Sequence, residues 1–256
     1  MSRIVVWFSC GAASAVAAKL AVKKYGVRCV VAYCDTSSSE HPDNLRFLKD
    51  VEKWIDTSIL KVKNEAFEDI YDVFDKTGYL VGVGGARCTT ELKKKVRREF
   101  EQDGDVHVFG YTHEEGTTIG QDGKTRCERF EGNNPELTVE WILVDNGLTK
   151  DDCLGLLWKQ GIELPEMYKL GYRNNNCIGC VKGGQGYWNK IRRDFPKVFW
   201  KMATQERKMD VAINKVMVEG ERVRLFLDEL PESSGNYNDE PDISCGVTCV
   251  IMETSL

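Results

Sequence analysis

The chain has 256 residues, 42% of them hydrophobic and 29% charged, and a formal net charge of −5. That length holds one large α/β domain with an extension, no run of eighteen apolar residues is present to span a membrane, and the mild acidity excludes a wholly basic nucleic-acid binder. The start has no signal-peptide pattern, so a cytoplasmic location is expected, and the ten cysteines point to buried thiols, metal or redox chemistry rather than to disulfides.

Ile4 to Phe8 is a β-branched and aromatic run, and Ser9-Cys10-Gly11-Ala12-Ala13-Ser14 is a stretch of small residues leading into an alanine-rich helix. The pattern predicts a strand, a tight turn and a helix opening on Ser14. Such a turn aims backbone N–H groups and the positive end of a helix dipole at one point, which suits a phosphate or sulfate. The hydroxyls of Ser9 and Ser14 add donors at its rim. An ordinary strand-turn-helix packing unit accounts for the same small residues equally well.

Arg28 to Cys34 reads as a second buried strand that ends at Asp35-Thr36-Ser37, where open α/β sheets bind ligands. Asp35 fits a metal or hydroxyl ligand as well as a helix cap. A helix over 42–54 places Leu45, Leu48, Val51 and Ile55 in the core. A strand near 58–62 and a helix near 67–74 complete two crossovers, which predict a parallel sheet. After a glycine loop at 78–86 comes a helix over 87–98, capped by Thr89 or Thr90, in which Arg87 and Lys93 are placed to bind a polyanion. Val106 to Gly110 is a further strand. The polar stretch 111–129 reads as a mobile lid or a partner-binding loop, with Arg126 and Arg129 as candidate phosphate contacts.

Glu140 to Asp145 is expected to be a short strand or extended return. Thr149, with Asp151 and Asp152, opens a helix through Leu154, Leu157 and Trp158, and 165–171 forms a helical turn. In 187–208, aromatic residues alternate with cations. This fits a surface for single-stranded nucleic acid, or an amphipathic helix pair broken at Pro196, and the helix pair explains the aromatics without a ligand. A strand over 223–227 and a surface loop over 231–241 follow.

Cys177 and Cys180 form a C-x2-C knuckle, and Cys245 and Cys249 a C-x3-C pair. Together they have the spacing of a tetrahedral thiolate site, holding zinc as a structural staple or an iron–sulfur cluster with Cys88 as a further thiol. Gly179 and Gly246 are expected to let backbone N–H groups turn toward the sulfurs. Cys10, Cys29, Cys34, Cys127 and Cys153 read as small core or loop residues.

Several of these segments together resemble the PAPS reductase family of the adenine nucleotide α-hydrolase and ATP pyrophosphatase superfamily. Residues 9–14 resemble its SGGxDS P-loop, Asp35-Thr36-Ser37 with His41-Pro42-Asp43-Asn44 its DTG and FPET segment, and Arg87-Cys88-Thr89-Thr90-Glu91-Leu92-Lys93 its R-x-C-x-x-x-L-K segment. Tyr168 to Gly171 with the Cys177 knuckle resembles its Y-x-x-G…GCxxC ending, and Cys245-Gly246-Val247 part of its ECGLH tail.

The resemblance implies a Rossmann-like (HUP-type), mostly parallel α/β sheet flanked by helices over 1–171, with a helical, cysteine-rich extension over 172–256 packed on it. It implies an adenine nucleotide (PAPS, APS or ATP) held by Ser9, Cys10, Gly11, Ala12, Ala13 and Ser14. Asp35, Thr36 and Ser37 are then beside it, Arg87 and Lys93 at its sulfate or phosphate end, and Gly110 completes the set. Cys88 and Cys245 become the reacting thiols of a sulfonucleotide reductase or sulfurtransferase, with a thiol reductant protein as partner. The metal or cluster is held by Cys177, Cys180, Cys245 and Cys249. Ala13 stands where the pyrophosphatase P-loop carries an acid, and Ser244 and Thr248 where ECGLH carries Glu and His. The alternative is a nucleotide- or nucleic-acid-binding protein with structural zinc and no sulfur chemistry. Monomer and oligomer both fit the sequence.

Overall fold

In the computed structural model, which describes residues 2–82 and 85–243, β1 (Ile4–Phe8) is buried along its whole length. Consecutive apolar residues on both faces are what a central strand of a sheet covered on both sides requires. Ile4, Val6 and Phe8 pack with α1 (Ala12–Tyr25), whereas Val5 and Trp7 pack on the opposite face with Val96, Phe109 and Phe130. α1 contributes Ala15, Ala17, Ala18 and Ala21, all fully buried, and these small side chains let it lie close to the sheet. It ends at Gly26, whose φ of 57° favours glycine.

β2 (Cys29–Cys34) and β3 (Ile59–Val62) follow, joined by α2 (Asn44–Ile55), and α3 (Ile70–Thr77) is next. β4 (Val81–Gly82) and β5 (Gly85–Ala86) form a two-residue antiparallel ladder. β6 (Val106–Val108) and β7 (Thr138–Glu140) complete the main sheet, whose order is β3-β2-β1-β6-β7 with every pairing parallel. The protein is thus α/β, with an all-parallel five-stranded sheet flanked by helices, an arrangement consistent with a Rossmann-like fold. Among the described residues no helix is long and apolar enough to cross a membrane.

Several local expectations are corrected. α2 starts at Asn44 rather than Pro42; Leu48, Val51 and Ile55 are buried as expected and Phe47 joins them, while Leu45 stays 39% exposed. Thr89 and Thr90 do not cap a helix. The chain is helical from Arg87 to Phe100, with a π-helical turn over Thr90–Lys94. The stretch 111–129, read as a mobile lid or a partner-binding loop, holds the helix His113–Thr117 and the start of Arg126–Asn133, each opened by a capping box. Only Thr138–Glu140 is extended before Ile142–Asp145 turns helical, and Trp158 is 78% exposed.

The basic and aromatic stretch folds as two helices, Gln185–Asp194 and Pro196–Met209. Trp188 and Phe199 are fully buried, and Lys190, Arg207 and Lys208 pair with Asp194, Asp228 and Asp75. Trp200 remains half-exposed. The aromatics thus serve mainly the core and the cations ion pairs, as the amphipathic reading expects. This core is shared: Ile70, Phe74, Leu92 and Met167 join Tyr172, Trp188 and Phe199 in one apolar cluster. The late strand is β9 (Glu221–Leu225), and it pairs with β8 (Asn214–Val218), a partner not foreseen in the sequence. Cys245, Gly246 and Cys249 lie outside the described residues.

One buried acid in this region sets a pH dependence. Glu206 has no exposed surface, and its carboxylate accepts the N–H groups of Ile213 and Leu227, both at 2.6 Å. Burial outweighs those donors and pushes its pKa from 4.5 up to about 7. The folded state therefore holds the proton more tightly than the unfolded chain does. The resulting stabilisation is complete below pH 4.5 and is lost as the pH rises through 7, a change of roughly 3 kcal/mol. Denaturant melts between pH 4.5 and 8 are expected to show this slope in the wild type and to lose it in Glu206→Gln. An unchanged slope in the variant contradicts the assignment.

Candidate functional site

β1 is the point at which the strand order reverses: β2 and β3 lie to one side, and β6 and β7 to the other. Ligands of open α/β sheets bind at the carboxyl ends of the strands flanking such a point. A cavity of about 330 Å³ lies there, lined by Phe8 and Ser9 after β1, Cys34 at the end of β2, and Gly110 and Tyr111 after β6.

The floor of the cavity is the turn before α1. Cys10 has φ 55°, the left-handed region that favours glycine, and the SGGxDS pattern has glycine at that place. Gly11 is extended and precedes the helix. The first intrahelical bond runs from the Ala15 N–H to the Gly11 carbonyl at 3.1 Å, so the amides of Ala13 and Ser14, two residues on the cavity wall, come before the helical ladder. The serine hydroxyls staple the turn instead of facing an anion. The Ser14 hydroxyl donates to the Gly11 carbonyl at 2.9 Å and accepts the Ser9 N–H at 3.1 Å and the Ser9 hydroxyl at 3.2 Å. Backbone N–H groups are therefore what the turn offers an anion.

Gly110 brings β6 against this turn. A Cβ there would lie 2.7 Å from the Ser14 nitrogen and 2.8 Å from its Cα, so only glycine allows the approach. Lys93 is buried and lines the cavity from the π-helical turn, a distortion frequent at functional sites. Two further cations on the wall meet acids: Arg126 pairs with Glu115 at 2.5 Å, and Lys150 with Asp242 at 3.2 Å.

Rings also contribute to the lining, from Trp7, Tyr33, Phe109, Tyr111 and Tyr168. Trp7 is held in place by its indole N–H, which donates to His107 Nδ1 at 3.0 Å. Burial and the Arg97 charge push the His107 pKa down to about 4, so the imidazole is neutral at physiological pH and its Nδ1 lone pair stays available. The Tyr168 hydroxyl accepts the Ala12 N–H at 3.3 Å and also the Asn175 N–H, which leaves its own proton to donate beside the anion turn. The lining thus combines backbone amides and cations, which suit a negative group, with rings, which suit a flat apolar one.

Of the residues selected from the sequence, Ser9, Gly11, Ala13, Ser14, Lys93, Gly110 and Arg126 line this cavity. Cys10 and Ala12 belong to the turn but not to the lining. Asp35, Thr36, Ser37 and Arg87 also do not line it: Asp35 accepts the Ser37 hydroxyl at 2.6 Å, Thr36 donates to Glu40 at 2.5 Å, and Arg87 meets Glu91 at 2.9 Å. Arg129 pairs with Asp122 at 2.7 Å. Trp7, Glu40, Lys150, Tyr168 and Asn175 line the cavity without having been selected. The triple asparagine at 174–176 was the visible signal for the last of these.

Half-buried Cys88 is not a lining residue and packs against the apolar cluster of the C-terminal helices. Cys177 and Cys180 are buried on either side of Gly179, which has φ 75°. The N–H groups of Gly179 and Cys180 turn to the Tyr187 hydroxyl, at 3.1 and 2.9 Å, where the sequence led us to expect the sulfurs. Among the described residues no three His, Cys, Asp or Glu side chains assemble as a metal site. The described residues therefore do not by themselves fit zinc or a cluster, and no chemical step is derived through one. Cys34 is the lining thiol among them, and burial pushes its pKa up to about 12. It is a neutral thiol, not a ready nucleophile.

Fold and cavity together define an α/β protein with a cavity at the switch point of its sheet, lined by the turn before α1, a buried lysine and several rings. No protein-family model matches the chain, and no curated protein does.

Proposed function

We propose that the protein binds an adenine nucleotide, with its phosphate or sulfate end on the Ser9–Ser14 turn beside Lys93 and its base among the rings of the cavity. The observation that carries this reading is the convergence of the amides that open α1, a buried lysine and a cavity of about 330 Å³ at the topological switch point. The reaction class rests on the resemblance: sulfonucleotide reduction or nucleotide-dependent sulfur transfer, with Cys88 and Cys245 as the thiols and a thiol protein as reductant. Ile243, on the cavity wall, is two residues before Cys245 in the chain.

In this reading the protein's own residues bind and orient the ligand. The helix terminus and Lys93 offset the charge of the anion, the Tyr168 hydroxyl donates to it, and Trp7, fixed by His107, gives the base a rigid wall. A second reading, a nucleotide- or nucleic-acid-binding protein with structural zinc and no sulfur chemistry, is favoured by one observation: the described lining thiol, Cys34, is held neutral.

One set of measurements tests both. At a concentration of 100 times its Kd, a nucleotide stabilises the native state by about 2.7 kcal/mol. ATP, APS or PAPS is therefore expected to raise the melting temperature by roughly 5–10 °C. No shift with any of the three contradicts a nucleotide site. Iron and sulfide in the anaerobically purified protein favour the first reading, and zinc alone the second.

A further inference from the structure

The turn before α1 is held by a buried chain of amides and a carboxylate whose ends, Glu40 and Asn175, also reach the cavity wall. It starts at Glu40, which accepts the hydroxyls of Tyr33 at 2.8 Å and Thr36 at 2.5 Å. Burial, reinforced by the Glu40 charge, holds the Tyr33 phenol far above its ordinary pKa, so Tyr33 remains a donor. Glu40 also accepts the side-chain N–H of Asn44 at 2.7 Å. That bond fixes which way the Asn44 amide faces, and its oxygen is left to accept from Asn175 Nδ2 at 2.8 Å. The second proton on Asn175 Nδ2 goes to the carbonyl of Cys10 at 2.7 Å. Both partners of that nitrogen are acceptors, so the orientation of Asn175 is determined as well.

Cys10 is the residue with φ 55°, and its carbonyl belongs to the peptide that continues into Gly11. In a trans peptide the C=O and N–H point in opposite directions. Fixing the Cys10 oxygen on Asn175 therefore turns the Gly11 N–H away from Asn175 and across the part of the cavity wall that Gly11 lines. We propose that Asn175 is the positioning residue of the anion site, holding the Cys10–Gly11 peptide so that the Gly11 N–H faces the bound phosphate or sulfate, and that Glu40 orients it through Asn44. The proposal rests on the nucleotide reading above.

The other end of Asn175 fits a functional arrangement. The residue is only 7% exposed, yet its Oδ1 is buried without a hydrogen-bond partner among the described residues. An unpaired buried acceptor is a cost to folding, and such costs concentrate at functional sites. Removing the side chain relieves that unpaired acceptor but orphans the Cys10 carbonyl and Asn44 Oδ1, so some stability is lost with it and the Gly11 amide is the readout that isolates the positioning role.

The test compares the wild type with Asn175→Ala and Glu40→Gln, using whichever of ATP, APS and PAPS binds the wild type most tightly, and follows the Gly11 amide by NMR of glycine-labelled protein. Saturating ligand is expected to move the wild-type Gly11 resonance downfield. In Asn175→Ala that movement should collapse and the Kd rise about tenfold or more, with a fall in melting temperature of roughly 4–8 °C that leaves the protein folded at the assay temperature. Glu40→Gln, which frees Asn44 to turn, should give a smaller change in the same direction. Wild-type affinity in Asn175→Ala overturns the positioning role and leaves the nucleotide reading intact. A weakened Kd with the Gly11 shift retained also overturns it, because the loss then has another cause. If none of the three nucleotides binds the wild type, the nucleotide reading falls and this role with it.

Discussion

Gly110→Ala is expected to abolish nucleotide binding and to lower the stability of the whole sheet domain. The added Cβ would stand 2.7 Å from the nitrogen and 2.8 Å from the Cα of Ser14, and 3.1 Å from the carbonyl carbon of Ala13. All three are backbone atoms in the first turn of α1, so no side chain can rotate away to make room. Either β6 withdraws from β1, to which it is paired from Ile4–Val106 to Val6–Val108, or the start of α1 lifts off the sheet. Overpacking of this kind costs about 3 kcal/mol. For a chain of this size that is a fall in melting temperature of roughly 6–12 °C. Both routes displace the Ala13 and Ser14 amides, so the thermal shift produced by ATP, APS or PAPS should vanish even well below the new melting temperature. A folded Gly110→Ala protein that still binds nucleotide as the wild type does would show that the turn can move without loss, and would remove the geometric basis of the site.

The two ends of this site were not equally visible in the sequence. β1, the turn and α1 stand out because a buried central strand must be apolar at every position, and a helix lying close to it must be built from alanine. Gly110 could be selected, but its reason is visible only in three dimensions, where β6 meets Ser14. Tyr168 and Asn175 come from more than 150 residues away in the chain, and no local period marks a residue that reaches across a fold. Other misses were avoidable. Thr112 with Glu115 and Thr125 with Glu128 are two T-x-x-E capping boxes, local signals of the helix starts inside the glycine-containing stretch 111–129. Leu45 lies off the buried face of α2, which Asn44, Phe47, Leu48, Val51 and Ile55 define, because a three-residue step back from Leu48 rotates it away from the centre of that face. The hairpin of β8 and β9 was half seen because its turn puts Glu219, not Asn or Asp, in the left-handed region before Gly220.

A second substitution is expected to open the cavity from its other wall. Residues 235–243 form a strap across the start of the helix Gln185–Asp194, and the contact is made at two glycines. A Cβ on Gly186 would lie 2.4 Å from the Tyr237 nitrogen and 2.5 Å from the Asn236 carbonyl carbon, while Gly235, at φ 71°, comes equally close from the strap side. This closeness lets the Glu240 carboxylate accept the N–H groups of Gly186 at 2.5 Å and Tyr187 at 3.0 Å, so that an acid from the strap caps the helix. Arg173 holds the carbonyls of Asn238 and Glu240, and the amides of Asn174 and Asn176 hold the carbonyl of Ile243 at 3.3 and 2.9 Å. The strap thereby sets Asp242 and Ile243 on the cavity wall. Gly186→Ala should force the strap off and break both Glu240 bonds, a local loss of about 2 kcal/mol that speeds amide exchange over 235–240 roughly 30-fold. The main sheet shares none of these contacts, so exchange in β1 and β2 should not change. Exchange over 235–240 at the wild-type rate would mean that the helix start yields instead of the strap. Because Lys150 loses Asp242 when the strap leaves, the nucleotide affinity of this variant separates two roles for the wall: a rise means that Asp242 restrains a cation which the anion would otherwise recruit, and a fall means that Ile243 is needed to enclose the ligand.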